Sequence, residues 1–387
     1  MTILSKTFRY ILRKAKSPYK RARLLLKSQL GWLGVPTIKP YMGFCNGKDV
    51  YLSGSVMEDK GLEKPRPGQS LPANMLAMIK RYISDEMAGV RVKVSFLGKS
   101  EVVETNELGI FHCYLKFEDA LTTSQQYASC HYELIDEVVE NQGSVTAEGK
   151  VLMVTGQPPF GVVSDIDDTI MVSHSTDTIK KLKLMLFKNA HTRVPFEGVA
   201  AFYRALQKGS AGQDTLNPLF YVSSSEWNLY DLLDDFMAFR DIPAGPFMLQ
   251  ELEHSIFHFW KSGGGTHEHK LKKILFLLSF FKDLNFILIG DSGQRDPQLY
   301  LKAAREAPGR IKAVYIRCIG KGHKNPQMLE ITKEMKSLNV PMLLISDTEE
   351  AARHALLKGY MDASSMPDIA RQVKVDHKNT GFLSDTH

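Results

Sequence analysis

The second half of the chain alternates short apolar runs with amphipathic segments. Five apolar runs have the length of buried strands and lie at 161–165, 219–223, 285–290, 312–317 and 341–345. Apolar residues at helical spacing mark the segments that accompany them, at 197–208, 227–239, 268–282, 296–306 and 348–358. Strands and helices that alternate at this rhythm predict an α/β fold with a doubly wound parallel sheet.

The preceding part of the chain has a period of two. Apolar and polar residues alternate over 50–56, 90–96 and 110–115, which is typical of strands with one buried face. We expect a smaller antiparallel β-sandwich domain here, interrupted by a helix around 75–83. The region holds no cluster of acids or histidines, so its expected role is to dock or to support.

A proline-containing segment separates the two patterns. Gly156-Gln157-Pro158-Pro159 indicates a linker, and 387 residues are enough for two domains with further segments at both ends. The expected division is a basic amphipathic segment at 1–35, the β-sandwich domain at 36–155, the α/β domain at 156–361 and a flexible tail at 362–387.

The net charge of +6 is concentrated near the N-terminus. Eleven lysines and arginines lie within residues 1–48, which contain no acid, so the remainder of the chain is net negative. Leu4, Phe8, Ile11 and Leu12 have helical spacing, with basic residues elsewhere on the wheel. A basic amphipathic helix can lie on an anionic membrane surface. A leader helix packed on the next domain, or a disordered tail, fits the same pattern.

Composition narrows the class of protein. With 43% hydrophobic and 24% charged residues, wholesale disorder is not expected. No apolar stretch approaches the ~20 residues of a membrane span, and Arg9, Arg13 and Lys14 interrupt any signal-peptide core. The four cysteines lack CxxC spacing and indicate free thiols in a reducing compartment. We expect a cytoplasmic protein, with peripheral membrane association as an open alternative.

Acidic residues follow two of the predicted strands. Asp165 and Asp167 come at the end of one, and Asp291 and Asp296 follow the strand at 285–290. Ligands of open α/β sheets bind outside the carboxyl ends of the strands, so both groups are expected to face one crevice. Carboxylates gathered there repel one another unless a cation lies between them, and Mg2+ prefers such oxygen ligands. The pattern indicates metal-assisted phosphoryl chemistry.

The spacing of Asp165 and Asp167 has a chemical meaning. On an extended segment, residues two apart point the same way, so both carboxylates can address one phosphorus atom. One can attack and form an aspartyl phosphate, while the other transfers a proton to the leaving group. Taken alone, the pair fits a solvated turn better.

Two further residues could contact a phosphate. Ser223 ends the predicted strand at 219–223, although serines there also cap the following helix. Lys270 could neutralise a phosphate and the acids together, with Lys272 and Lys273 as alternatives, and each could equally be solvated.

In this order, the residues resemble a known superfamily. Asp165-x-Asp167-x-Thr169, Ser223, Lys270 and Gly290-Asp291-Ser292-x-x-x-Asp296 match the four motifs of the haloacid dehalogenase phosphohydrolases. More narrowly, the chain looks like the catalytic domain of the App1-type phosphatidate phosphatases, relatives of the lipins. The segments that carry this likeness are 165–170, 193–203, 221–230 and 289–297. Glu226 departs from the family, which commonly has proline there.

The resemblance implies catalytic roles for five residues. Asp165 would be the nucleophile and Asp167 the general acid and base. Thr169 and Ser223 would hold the phosphoryl oxygens, and Lys270 would steady the phosphoaspartate.

It also implies a magnesium site and no other cofactor. Asp165, the backbone carbonyl of Asp167, and Asp291 would ligate Mg2+ directly. Asp296 would do so through water or would orient Lys270.

The implied reaction is Mg2+-dependent hydrolysis of phosphatidate to diacylglycerol and phosphate. The stretch between Thr169 and Phe220 is too short for a large cap domain, so an open cleft would admit a bulky, surface-bound substrate. Phosphatidate or a related lipid phosphate in an anionic membrane would also suit the basic N-terminus, which would bind that surface peripherally. Two alternatives stay open: hydrolysis of a soluble, nucleic-acid or protein phosphomonoester, and a non-catalytic phosphatidate-sensing module. Nucleic-acid binding is disfavoured because the basic charge lies at one end. The pattern does not determine the oligomeric state.

Overall fold

The computed structural model describes residues 34–59, 86–166, 197–250, 268–292, 295–318 and 325–384. Three predictions lie outside the described residues: most of the N-terminal segment, the helix around 75–83, and the positions of Asp167 and Thr169. The chain divides into two compact units, Met1–Thr155 and Gly156–His387.

The first unit contains one seven-stranded sheet with the order β4-β3-β6-β7-β1-β2-β5. Its strands are β1 (Pro36–Cys45), β2 (Asp49–Glu58), β3 (Arg91–Phe96), β4 (Lys99–Glu104), β5 (Ile110–Lys116), β6 (Tyr127–Leu134) and β7 (Thr146–Met153). All neighbours pair antiparallel except β1 and β7. The two end strands, β4 and β5, also lie close together, so the sheet approaches a barrel. The predicted small antiparallel domain is confirmed, as one curved sheet.

Alternation along β3 shows how the sequence builds this core. Val92, Val94 and Phe96 are buried, whereas Arg91 and Lys93 are exposed. Successive side chains of a strand point to opposite faces, so a period of two places every apolar residue of β3 on the inner face of the curved sheet.

The cysteines are free thiols, as their spacing predicted. Cys45, Cys113 and Cys130 belong to the buried core of this sheet. Burial raises the pKa of the Cys113 thiol to about 12, which keeps the group protonated at neutral pH.

The second unit contains six parallel strands in the order β10-β9-β8-β11-β12-β13. They are β8 (Gly161–Asp165), β9 (Leu219–Glu226), β10 (Phe247–Gln250), β11 (Phe286–Asp291), β12 (Ile311–Arg317) and β13 (Met342–Ile345). The chain moves outward from β8 to β10 and then returns to place β11 beside β8. The predicted doubly wound parallel sheet is confirmed, and its switch point lies between the strands that end at Asp165 and Asp291.

Helices cover both faces of this sheet. They are α1 (Val199–Lys208), α2 (Tyr230–Phe239), α3 (Glu268–Phe280), α4 (Asp296–Glu306), α5 (Pro326–Ser337), α6 (Thr348–Leu357) and α7 (Met366–Ser384). Neighbouring residues of β9 point to opposite faces: Tyr221 stacks on Tyr203 of α1, and Phe220 packs on Phe281 just after α3. Helices α1, α6 and α7 pack together in one layer, and α3, α4 and α5 in the other. None of the described helices combines the length and the apolar composition that crossing a bilayer requires.

The prediction of a flexible tail at 362–387 is wrong for Met366–Ser384, because these residues form helix α7. Ile369 of this helix is fully buried. Asp376 is also buried and accepts a hydrogen bond from the backbone N–H of Gly198, at 2.8 Å, where α1 begins. The segment looked like a tail because a carboxylate supplies part of its attachment, and hydrophobic periodicity does not register such a contact.

Replacing Asp376 with alanine should lower the free energy of unfolding by about 1.5–3 kcal/mol, because a buried N–H loses a charged acceptor. Glu349→Ala on α6 is the matched control, since Glu349 only pairs at 3.7 Å with Arg353 on the helix surface. The control should cost no more than about 0.5 kcal/mol. Urea unfolding of both variants measures the difference, and equal losses would contradict a structural role for Asp376.

Candidate functional site

A buried lysine joins two of the predicted acids. Lys270 lies in the first turn of α3, and its Nζ is 2.7 Å from Oδ1 of Asp165 and 3.2 Å from Oδ1 of Asp296. The side chains of Lys270, Asp165 and Asp296 are only 2%, 4% and 0% exposed. Three elements, β8, α3 and α4, therefore meet at one ammonium group.

Asp296 also connects to the end of β11. Its Oδ2 accepts a hydrogen bond from the backbone N–H of Asp291 at 3.2 Å. One carboxylate thus orients both Lys270 and the strand that carries Asp291. Carboxylate oxygens of Asp165, Asp291 and Asp296 all lie within 4.8 Å of one another.

This donor set suits a hard divalent cation. Carboxylate oxygens are the ligands that Mg2+ and Ca2+ prefer, and Mg2+ typically keeps several waters beside one or two carboxylates. The three acids and Lys270 together carry two net negative formal charges, which one divalent ion would balance. The cluster could therefore hold a metal ion whose identity the donor set alone does not fix.

A glycine makes the approach of Asp296 possible. A Cβ on Gly290 would lie 2.5 Å from Oδ2 of Asp296 and 2.8 Å from the hydroxyl of Tyr300. Any larger residue would displace both groups. Glycine directly before Asp291 is thus required by close packing of α4 on β11.

Ser223 lies beside this cluster on the neighbouring strand. Asp165 pairs in register with Val222, so Ser223 is the next residue along β9. Its hydroxyl is buried and accepts a hydrogen bond from the backbone N–H of Ser225 at 2.9 Å. The same residue's carbonyl oxygen accepts a hydrogen bond from Nζ of Lys273 at 2.6 Å. Ser225 therefore holds the side chain of this serine, and Lys273 holds its backbone.

The helical position of each lysine separates the three candidates. Lys270 and Lys273 are three residues apart and both face the sheet, whereas Lys272 is exposed. Only Lys270 contacts two of the acids among the described residues. The structure thus brings together Asp165, Lys270, Asp291 and Asp296, with Ser223 adjacent, while Asp167 and Thr169 lie outside the described residues.

Sequence reasoning missed two tyrosines next to the acids. The hydroxyl of Tyr203 on α1 lies 2.6 Å from Oγ of Ser164, which donates to the backbone carbonyl of Asp165 at 3.0 Å. The hydroxyl of Tyr300 on α4 donates to the carbonyl of Ile289 at 2.8 Å. Burial raises the pKa of both phenols well above the ordinary range, and the charge of Asp296 adds to the effect on Tyr300.

One of the two carried a signal in the sequence. Tyr300 follows Asp296 by four residues, so both lie on the same face of α4, although that spacing alone assigns no role. Tyr203 ends the segment 193–203, which carries part of the family resemblance, but neither that resemblance nor its amphipathic helix assigns it a role.

Comparison with known proteins agrees with the motif analysis. Residues 160–318 match the family model described as phosphatidate phosphatase APP1, catalytic domain. The chain is 28% identical over 200 residues to phosphatidate phosphatase APP1 of Saccharomyces cerevisiae, covering 50% of this chain and 33% of that protein. It is 26% identical over 249 residues to an uncharacterized protein of Schizosaccharomyces pombe, covering 62% and 39%. The chain spans well under half the length of these relatives. The resemblance to the App1-type catalytic domain is confirmed for the matched stretch, which contains every described acid of the cluster.

Solved structures add no argument about the fold. A carbohydrate acetylesterase from Xanthomonas citri is 10% identical and aligns over 90% of this chain and 76% of its own, with a TM-score of 0.30. A score of this size does not support a shared architecture.

Gly290→Ala should weaken the binding of a divalent ion by about tenfold or more, because the new methyl group displaces Asp296, which orients Asp291. Titration with Mn2+, followed through the electron paramagnetic resonance signal of the free ion, measures this directly. Gly309→Ala is the control: Gly309 has a φ of 75° but open space around its Cα, and it precedes β12 at the other end of the sheet. The control should lose stability and keep its Mn2+ affinity. Unchanged Mn2+ binding in Gly290→Ala would contradict this account of the site.

Proposed function

We propose that this chain is an Mg2+-dependent phosphatidate phosphatase of the haloacid dehalogenase type, which forms an aspartyl phosphate on Asp165. The observation that carries the proposal is the buried contact of Lys270 with Asp165 and Asp296 at the switch point of the sheet, beside Asp291. Two buried acids against one buried ammonium group, with a third acid within 4.8 Å of both, are an arrangement that functional sites favour.

Asp165 would act as the nucleophile. Its carboxylate forms a bond to the phosphorus of the substrate while the bond from phosphorus to the glycerol oxygen breaks. Asp167 donates a proton to that oxygen, so that diacylglycerol leaves as a neutral alcohol. Water then attacks the phosphorus of the aspartyl phosphate and gives a proton to Asp167, and phosphate departs from Asp165.

The remaining residues would bind the phosphoryl group and its charge. Lys270 lies against Asp165, so its ammonium group can stabilise the negative charge of the phosphoaspartate. Ser223 and Thr169 would donate hydrogen bonds to phosphoryl oxygens. A Mg2+ ion held by Asp165, the carbonyl of Asp167, and Asp291 would shield the nucleophile from the substrate's charge. Asp296 would contribute to the metal site through water or by orienting Lys270 and Asp291, both of which it contacts.

The names of the matched family and of the yeast relative favour phosphatidate as the substrate. The matched family model and the yeast relative both carry the name phosphatidate phosphatase. The basic N-terminal segment would bring the protein to an anionic membrane surface, where a lipid phosphate is presented. We propose a peripheral association of this kind for a cytoplasmic protein.

Purified protein with Mg2+ and phosphatidate in mixed micelles should release phosphate, and chelation with EDTA should abolish the release. Asp165→Asn should lower kcat by several orders of magnitude, because the nucleophile is lost. Parallel assays with soluble phosphomonoesters identify the substrate class. Faster turnover of a soluble ester, with no gain from a lipid surface, would contradict the lipid substrate and indicate a phosphatase for soluble phosphomonoesters. Phosphatidate binding without any turnover would contradict the enzymatic function and indicate a phosphatidate-sensing module.

Lys270→Met should reduce kcat by about a hundredfold or more, because the buried charge beside the nucleophile disappears. Lys272→Met is the matched control, since Lys272 lies two residues away on the same helix and is exposed. The control should keep wild-type kcat and KM. A similar loss in both variants would show that Lys270 acts through general charge and not through its contact with Asp165.

A further inference from the structure

Two buried tyrosines approach the central strands of the parallel sheet from opposite faces. Tyr203 belongs to α1, in the helical layer that also contains α6 and α7, whereas Tyr300 belongs to α4 in the other layer. They are 6% and 2% exposed. The hydroxyl of Tyr203 makes a hydrogen bond to β8, and the hydroxyl of Tyr300 makes one to β11.

Both hydrogen bonds act at one level of the sheet. Ser164, the partner of Tyr203, pairs in register with Ile289, the partner of Tyr300. This level lies one residue before Asp165 and two residues before Asp291. The tyrosines therefore hold the two strands directly beneath the acids that the strands present.

On β8, the contact passes through a serine to the nucleophile's backbone. Tyr203 donates to Oγ of Ser164, because the serine's own proton goes to the carbonyl of Asp165. This chain of two hydrogen bonds fixes the peptide that follows Asp165. A phenylalanine at 203 would fill the same apolar space and leave that peptide less restrained.

On β11, the contact fixes a helix. Tyr300 lies one turn after Asp296, and its hydroxyl ties α4 to the carbonyl of Ile289. The hydrogen bond that the N–H of Asp291 donates to Asp296 ties the same helix to the strand two residues further on. Two points of attachment define the position of the helix, and so determine where the Asp296 carboxylate lies.

We propose that Tyr203 and Tyr300 are positioning residues for the metal-binding acids, holding β8 and α4 so that Asp165, Asp291 and Asp296 converge on one cation. The inference rests on the proposed function only in taking these acids as the metal site. Residues that orient metal ligands without touching the metal commonly change metal affinity or activity by about 10–100-fold when replaced.

The test uses Tyr203→Phe and Tyr300→Phe in the full chain. Each should weaken Mn2+ binding by about tenfold or more and lower kcat for phosphatidate, with KM changed by no more than about twofold. Tyr315→Phe is the matched control: Tyr315 is fully buried on β12, and its hydroxyl bonds to Nδ1 of His354 on α6 and not to β8 or β11. It should lose stability without losing Mn2+ affinity.

Thermal unfolding in EDTA separates positioning from mere structure. A structural role would lower the melting temperature of the metal-free protein and leave the Mn2+ affinity of the folded fraction unchanged, which would overturn the proposal. If Tyr203→Phe does not fold, Ser164→Ala breaks the same chain of hydrogen bonds from its other end and should weaken Mn2+ binding to a similar extent.

The two proposals fail differently. A wild-type protein that binds Mn2+ but does not hydrolyse phosphatidate would refute the proposed function, while the Mn2+ titrations of the variants would still decide the role of the tyrosines. Active wild-type protein with Mn2+ binding unchanged in both phenylalanine variants would refute the positioning role alone. A wild-type protein that binds no Mn2+ would refute both.

Discussion

The buried contact between one ammonium group and two carboxylates is the constraint on which the α/β unit depends. Lys270, Asp165 and Asp296 are each almost fully removed from solvent, and an isolated charge in such a place is strongly destabilising. The contact is tolerable only while β8, α3 and α4 are all in place. Displacing any one of these elements would leave a buried charge without its partner.

The topology of the sheet decides which acids meet. Because the chain winds outward from β8 and returns to β11, residues distant in sequence end adjacent strands at the switch point. Helix α4 follows β11 after a short loop and brings Asp296 back over that strand. Gly290 permits this close return. The convergence of the three acids is thus a consequence of strand order, helix placement and the absence of a side chain at Gly290.

The sequence predicted the features that depend on local pattern. Buried strands that end in acids are visible as apolar runs, so Asp165 and Asp291 could be assigned to one edge of the sheet from the sequence. Lys270 could not be separated from its neighbours, because that choice depends on which face of α3 is buried. Tyr203 and the polar helix α7 were missed because their contacts join residues far apart in sequence, through hydroxyls and a carboxylate that hydrophobic periodicity ignores.

In the proposed function, electrostatics links the metal to the substrate. The four central side chains carry net negative charge, and a phosphate monoester would add more, so the site and the proposed substrate would repel each other without a bound cation. A divalent ion between the acids reverses the sign of that interaction, and by linkage a bound phosphate raises the affinity for the ion in turn. Lys270 alone cannot do this, because Asp165 and Asp296 already share its charge. If the proposed function is correct, metal and phosphate are expected to bind cooperatively in this site.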